Sequence, residues 1–243
     1  MLILCSICFR ITKTINNLNS REGTNCGHCN STSRDRQIVY QLHRNVIKRK
    51  FIRPFDEFKI IGVSDGYLVS KILTKIYRKN YTNYKYTEDP KLDIKKVPEE
   101  LFGIADFLIC SEVLEHVAPP VEEAFLGLFN LLKNKGKLIF SVPHTDNTHQ
   151  HIEHFPETLI YNLEEEETSK KLIGVSTLGD EFVFENLVFH GGDGFTIEFR
   201  IFSENSVISN LEKVGFHNLL KVNNKRLIGA VWEPWSRVWV CQK

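Results

Sequence analysis

The 243-residue chain has no apolar run approaching the ~18 residues that a membrane-crossing helix needs, so no membrane insertion is expected. Its apolar start, Met1 to Phe9, is too short for a secretory leader and is broken by two cysteines. A cytoplasmic protein is therefore expected, and with it free thiols rather than disulfides. There is also no large charge excess, since the net charge is +1. What remains is an ordinary globular composition, 42% hydrophobic and 25% charged, long enough for one large domain or one plus a small module.

The near-zero charge hides an asymmetry. Lys13, Lys48, Lys50, Arg10, Arg21, Arg34, Arg36, Arg44, Arg49 and Arg53 face only Glu22 and Asp35 in residues 1–53, an excess of eight. Such a segment can touch phosphate. It can equally be a solvated helix face whose charge partly offsets thiolates at a metal site.

Four of the six cysteines form two pairs, Cys5-x-x-Cys8 and Cys26-x-x-Cys29, separated by 17 residues. A two-residue gap lets two sulfurs face one point, and two such knuckles close a tetrahedral site. Zinc suits four thiolates, and a closed site leaves no position open for catalysis, so a structural Zn2+ ribbon is expected. His28 lies inside the second knuckle and is an alternative ligand. Cys110 and Cys241 stand alone in apolar stretches and read as core.

From Ser33 a helix is expected, capped by Ser33 or Asp35, with Ile38, Val39, Leu42, Val46 and Ile47 as its apolar stripe and Pro54 as its end. Its apolar face should pack on the ribbon or on the main domain. Phe58 to Gly66 followed by Tyr67 to Tyr77 reads as strand, tight turn and helix, a turn that offers backbone N–H groups to a ligand. Gly62-x-Ser64-x-Gly66 also fits a hydrolase nucleophile elbow. Ile104 to Cys110 reads as a buried strand, and Ser111 to Val117 follows it. A helix from about Pro119 to Leu132, a turn at Asn134-Lys135-Gly136 and a strand from Lys137 to Val142 come next.

Four histidines (His144, His149, His151 and His154) crowd the stretch to Pro156, where Asn147 and Pro156 favour loop. They suit either a metal or the lining of an acceptor pocket. Glu164 to Glu167 reads as a solvated helix face. Ser203, with Ser206 at the third helical position, should cap a helix carrying Val207, Ile208, Leu211 and Val214 inward. Gly215 stops it, and the last strand pair begins at Phe216 and ends at Val238 to Cys241. Trp232 and Trp235 flank Pro234, as stacking platforms for a sugar or base or as packing.

The order strand, Ser111-Glu112-Val113-Leu114-Glu115-His116-Val117, helix, Lys-rich turn, strand resembles the fourth and fifth strands of class I S-adenosylmethionine-dependent methyltransferases. Val63-Ser64-Asp65-Gly66, Tyr81-Thr82-Asn83, Glu88 to Ile94, His190 to Arg200 and Ser33-Arg34-Asp35-Arg36 after a cysteine ribbon are similar to a group found among bacterial glycan-biosynthesis genes. The resemblance spans nearly the whole chain. It implies an α/β fold, a Rossmann-like seven-stranded methyltransferase sheet with a small N-terminal zinc ribbon. Domains are then expected at 1–32 (ribbon), 33–55 (connecting helix) and 56–243 (catalytic).

The resemblance places S-adenosylmethionine against Gly62, Ser64, Asp65, Gly66, Ser111 and Glu112. Asp93 falls where the adenine amino group is read, and Glu88 near the ribose. Ser64 replaces the middle glycine, and Ile60 stands where an acidic residue is usual. The implied reaction is methyl transfer to a small or sugar-like acceptor, a small molecule or glycan, with O-methylation favoured. His116, His144, Glu153 and His154 are the candidate bases. Competing readings are a nucleic-acid-binding protein or RNA methyltransferase, a non-catalytic scaffold and a hydrolase. Against the first, no Asn/Asp-Pro-Pro-aromatic or Pro-Cys signature follows the fourth strand.

Overall fold

The computed structural model describes the chain except for residues 17–23, 53–56, 145–149, 156–159, 166–169, 177, 191–195, 224–225 and 230–235. The expectations for Pro54, Asn147, His149, Pro156, Glu166, Glu167, Trp232, Pro234 and Trp235 lie outside the described residues.

The N-terminus forms a three-stranded antiparallel sheet of β1 (Leu2–Leu4), β2 (Ile11–Asn16) and β3 (Thr24–Cys26). Helix α1 (Ser33–Ile52) follows. Its cap is Thr32 rather than Ser33. Thr32 Oγ1 accepts from Asp35 N, and Asp35 Oδ2 accepts from Thr32 N, both at 3.1 Å. That reciprocal pair satisfies two donors at once. Ser33 Oγ instead donates to Gly229 O.

Ile38, Val39, Leu42 and Val46 are buried as the periodicity requires, but Ile47 is 68% exposed. The buried four join one cluster with Ile3, Cys5 and Ile7 of the ribbon and with Ile60, Phe107, Ile139, Val238 and Val240 of the main sheet. The helix therefore packs on both bodies at once.

Arg36 is the polar fastener of this junction. It is fully buried and donates through Nε to Ile228 O at 2.7 Å, through Nη2 to Gly229 O at 2.7 Å and Thr24 O at 3.1 Å, and through Nη1 to Ser31 O. Truncation leaves several buried carbonyls without donors. Arg36→Ala is expected to cost about 3 kcal/mol or more, measured by urea denaturation.

The main sheet is built from β4 (Ile60–Val63), α2 (Tyr67–Tyr77), β5 (Tyr81–Tyr84), β6 (Ala105–Ser111), α3 (Glu122–Leu131) and β7 (Leu132–Pro143). After an insertion come α4 (Glu204–Val214), and the last two strands, Β15 (His217–Lys221) and β16 (Ser236–Gln242). The insertion itself carries β8 (Ile152–Glu153), β9 (Ile160–Glu165), β10 (Lys170–Val175), β11 (Glu181–Phe184), β12 (Phe189–His190), β13 (Thr196–Ile197) and β14 (Arg200–Ile201). Strand order in the main sheet is β15-β16-β7-β6-β4-β5. The pairings β5–β4, β4–β6 and β6–β7 are parallel, while β16 runs antiparallel to both β7 and β15. This is a Rossmann-like α/β sheet with one reversed strand near its edge.

Six strands stand in this sheet among the described residues, not the seven expected. Lys85 and Lys91 lie too close in the chain for the dozen or so residues that a parallel crossover takes, and the missing strand is reduced to a single parallel bridge between them. Leu92 and Ile94 then turn into the core beside α3.

Helix α3 begins at Glu122, later than expected, because a residue preceding proline disfavours helical backbone and Pro119 and Pro120 adjoin. Helix α4 has the expected ends. Ser203 and Ser206 form a capping box, and Gly215 closes it in the left-handed region at φ 104°.

Glu164 does not lie on a helix face. It sits in β9, in a three-stranded antiparallel sheet ordered β11-β10-β9, with Lys171 opposite Glu164 and Lys170 opposite Glu165. Opposite charges across the ladder let a strand carry an acidic run. Phe155, Leu172, Ile197 and Phe199 form the insertion's own small core.

Candidate functional site

The sheet reverses direction of growth between β4 and β6, and the crevice outside their C-terminal ends is where α/β sheets bind ligands. Ser64, Asp65 and Gly66 leave β4 on one side of it, and Ser111 and Glu112 leave β6 on the other. Ser64 takes a positive φ of 55°, held by its N–H donating to Tyr84 O at 2.7 Å. Asp65 N donates to Asn83 Oδ1, and Asn83 Nδ2 returns a bond to Asp65 O. The turn is thus pinned to β5 from both sides.

Gly62 and Gly66 serve different ends. A Cβ on Gly62 would stand 2.2 Å from Asp65 Oδ2 and 2.8 Å from the Tyr81 hydroxyl. That glycine makes room for a side chain of this chain. At Gly66 a Cβ would meet nothing within 4 Å. Gly66 is also the N-cap of α2, with no side chain capping it. The first N–H groups of this eleven-residue helix therefore have no side-chain cap, a ready anion cradle.

Asp65 is buried beneath the turn. Tyr81 donates to its Oδ2 at 2.7 Å, while the buried Oδ1 has no hydrogen-bond partner among the described residues. Burial raises its carboxyl to about 7, against the Tyr81 hydrogen bond and with a push from Asp35. The folded state therefore holds the proton more tightly than the unfolded chain, whose aspartate titrates near ~3.9. Wild-type stability is expected to fall between about pH 4 and about pH 7 relative to Asp65→Asn, as urea denaturation across that window would record.

Glu112, at φ 52°, forms the opposite wall. It accepts from Ser141 Oγ at 2.8 Å, Ser141 Oγ lies 2.9 Å from Ser111 Oγ, and Arg34 Nη1 reaches Glu112 Oε2 at 2.9 Å. The start of α1 thus closes over the crevice. Much of the basic excess is consumed inside the fold, with Arg34 on Glu112, Arg36 on carbonyls and Arg49 on Asp106.

Glu88 and Asp93 lie on the connection from β5 to β6. Glu88 pairs with Lys85 at 2.5 Å in an exposed turn, and Asp93 Oδ1 accepts from Lys95 N at 2.8 Å. Burial, then Tyr86 and Asp93, pushes the Tyr161 hydroxyl up.

Three of the four candidate bases gather around Ile197 to Arg200. His116 Nδ1 lies 2.6 Å from Ile197 O, a group that can only accept, so Nδ1 carries the proton and a neutral ring keeps its lone pair on Nε2. Nε2 is 3.6 Å from Glu115 Oε1. Burial, with Glu112 nearby, pushes that fully buried Glu115 carboxyl well above the usual range, against His116 and Arg34. His154 Nε2 lies 3.4 Å from Glu198 Oε1. Glu153 is engaged by Arg200 Nε at 2.6 Å and by His151 Nε2 at 2.9 Å. Burial pushes the Glu153 carboxyl up, but those two partners outweigh it and hold it below its ordinary value.

His144 stands elsewhere. Trp239 Nε1 donates to its Nε2 at 3.1 Å, and burial plus Arg237 lowers it to about 4, against Glu112 and Glu204. Its lone pair is already spent.

Sequence reasoning assigned no site role to Arg34, Tyr81 or Asn83, although all three lie in motifs that carry the resemblance. Each acts across a long loop or from another element, where no local periodicity marks it. His151 spans Ser206 Oγ and Glu153 Oε1.

At the N-terminus, Cys5, Cys8, Cys26 and Cys29 bring all four sulfurs within 4.8 Å of one another. Cys5 Sγ lies 3.8 Å from Cys29 Sγ, and Cys8 Sγ 3.9 Å from Cys26 Sγ. A disulfide needs about 2.05 Å, so these are four free thiols around one centre. Cys110 and Cys241 are buried in the core, as expected.

No protein-family model matches the sequence, and no curated protein does. Among solved structures, the chain is similar to an S-adenosylmethionine-dependent methyltransferase from Clostridium acetobutylicum, at 10% identity over 85% of this chain and 96% of that one, TM-score 0.44. It is similar to an amino pentose methyltransferase from Micromonospora echinaspora involved in calicheamicin biosynthesis, at 12% identity over 86% and 93%, TM-score 0.44. A 1,6-didemethyltoxoflavin-N1-methyltransferase from Burkholderia thailandensis shares 12% identity over 86% and 78%, TM-score 0.45.

Proposed function

We propose that the chain is an S-adenosylmethionine-dependent methyltransferase acting on a small or sugar-like acceptor, with a structural zinc ribbon at residues 1–32, a connecting helix to residue 55 and the catalytic domain beyond. The observation that carries this reading is the β4–β6 crevice: an uncapped α2 facing open space at Gly66, walled by Ser111 and Glu112. Its chemistry fits the cofactor. The α2 N–H groups and Arg34 suit a carboxylate, while the buried Asp65 Oδ1 and Glu112 suit an ammonium and a sulfonium. The reversed β16 fits the resemblance drawn from the Ser111 to Val117 stretch.

When bound, the cofactor supplies an electrophilic methyl group. The chain's task is to align an acceptor with it and take up the acceptor's proton. His116 is the favoured base. Its Nδ1 is fixed on a backbone carbonyl, and its Nε2 lies 3.6 Å from Glu115 Oε1. Glu153 and His154 position the insertion over the same region through Arg200 and Phe199. His116→Gln is expected to lower kcat about a hundredfold while cofactor affinity stays within about twofold, read by turnover and calorimetry.

For the ribbon, a tetrahedron of Zn–S bonds of about 2.3 Å sets sulfurs about 3.8 Å apart. The two closest sulfur pairs, at 3.8 and 3.9 Å, fit that figure.

The reading is tested by incubating the protein with S-adenosylmethionine and a panel of nucleotide sugars. Acceptor-dependent release of S-adenosylhomocysteine is expected. No release with any sugar, alongside turnover of an RNA acceptor, would reject the sugar-like assignment.

A further inference from the structure

A second cavity, of about 340 Å³, opens at the opposite edge of the sheet, among Asn45, Lys48, Arg49, Asp106, Lys135 and Lys137. Asp106 and Phe107 begin β6, Lys135 and Lys137 lie early in β7, and Lys48 and Arg49 come from the last turns of α1. The crevice described above is at the other ends of these strands.

The charge here is unbalanced. Among the described residues, Asp106 is the one acid in the lining. It is already engaged by Arg49 at 3.0 Å and Lys133 at 2.8 Å, and by the backbone N–H of Lys59. Lys48 and Lys137 meet no carboxylate among the described residues, while the Lys135 N–H donates to Lys243 O at 2.9 Å. Burial, then Lys48 and Arg44, holds the Lys137 ammonium below its ordinary value, so the wall lies in a positive field that an anion would relieve.

Two donors are held ready. Lys137 Nζ is anchored on Asn45 Oδ1 at 2.7 Å, and Asn45 is itself fixed by Nδ2 on Gln41 O at 2.8 Å. Arg49 Nε is buried with no hydrogen-bond partner among the described residues, an expensive state for a charged donor. Several cations around one hollow, with an unspent guanidinium N–H, make the donor set of a phosphate site.

We infer that this basic hollow binds a phosphorylated ligand of about diphosphate size, with Lys137, Lys48 and Arg49 as its contacts. The size follows from the volume, which lies near the lower bound for small-molecule sites. Two sources share that chemistry: the diphosphate of a small molecule, or successive backbone phosphates of a nucleic acid.

The test is calorimetric titration of the full chain with inorganic pyrophosphate in phosphate-free buffer, with a single-stranded RNA oligonucleotide as the second arm. One pyrophosphate per chain is expected, and Lys137→Gln and Lys48→Gln each weaken it about tenfold or more. Lys213→Gln on α4 leaves it unchanged. Neither hollow variant alters the melting temperature appreciably or the affinity for S-adenosylhomocysteine, which separates this site from the β4–β6 crevice. Pyrophosphate binding that RNA does not displace identifies a small diphosphate. Displacement by RNA with the same dependence on Lys137 identifies a nucleic-acid backbone. Absence of binding at millimolar pyrophosphate, or binding indifferent to both substitutions, overturns the inference.

Discussion

Replacing Gly66 with leucine is expected to weaken S-adenosylhomocysteine binding about a hundredfold or more, about 2.7 kcal/mol, with little change in melting temperature. The backbone permits the exchange, because Gly66 sits at φ −59° and ψ 156°, where any residue is at ease. The space permits it too, since a Cβ there meets nothing within 4 Å. The added side chain stands at the start of α2, beside the N–H groups that the proposed reading gives to the cofactor. Gly62 offers no such separation of effects, as a Cβ there collides with Asp65 and disturbs the fold itself. Calorimetry and thermal melting on one preparation check the prediction. An unchanged affinity in Gly66→Leu would move the cofactor elsewhere.

Removing the metal from the ribbon is the second large effect expected. Purified protein should carry one zinc per chain by elemental analysis. Stripping it with a chelator, or Cys26→Ser, should lower the melting temperature by about 10 °C or more. The ribbon strands are only three to six residues long and bury little on their own. Their apolar residues Ile3 and Ile7 nevertheless share a cluster with α1 and with Val238 and Val240 of the main sheet. Loss of the metal therefore uncovers one face of the larger domain as well. It also frees Arg36, whose acceptors Thr24 and Ser31 belong to the ribbon side of the junction. Hydrogen exchange should show faster opening in α1 and β16, not only in β1 to β3. A metal-free preparation with an unchanged melting temperature would contradict this account.

The sequence made some of this legible and hid the rest for identifiable reasons. The strand, turn and helix from Ile60 to Tyr77 could be read because hydrophobic periodicity switches abruptly at Ser64 to Gly66. Ser203, Ser206 and Gly215 are local signals, and α4 ends where they stand. The cysteine knuckles could be read from spacing alone, and the four sulfurs do converge.

Three features escaped because their causes are not local. The acidic run at Glu164 hides a strand, since its lysine partners lie on β10 and become visible only when the ladder forms. The Thr32–Asp35 cap displaced Ser33 because Ser33 is drawn to Gly229, almost at the far end of the chain. The missing seventh strand follows from a short connection that only a bridge at Lys85 and Lys91 could fill. At the site, Ser64, Asp65 and Gly66 follow β4 and Ser111 and Glu112 end the neighbouring β6, while Glu88 pairs with Lys85 and Asp93 accepts from the Lys95 N–H. Arg34 could not have been assigned from pattern, because its partner Glu112 belongs to another layer.

Calorimetric titration of the wild-type chain with S-adenosylhomocysteine tests whether the β4–β6 crevice seats the nucleoside cofactor. Saturable binding of one molecule per chain is expected, with a Kd on the order of micromolar. A flat titration at ligand concentrations of about a millimolar would contradict it.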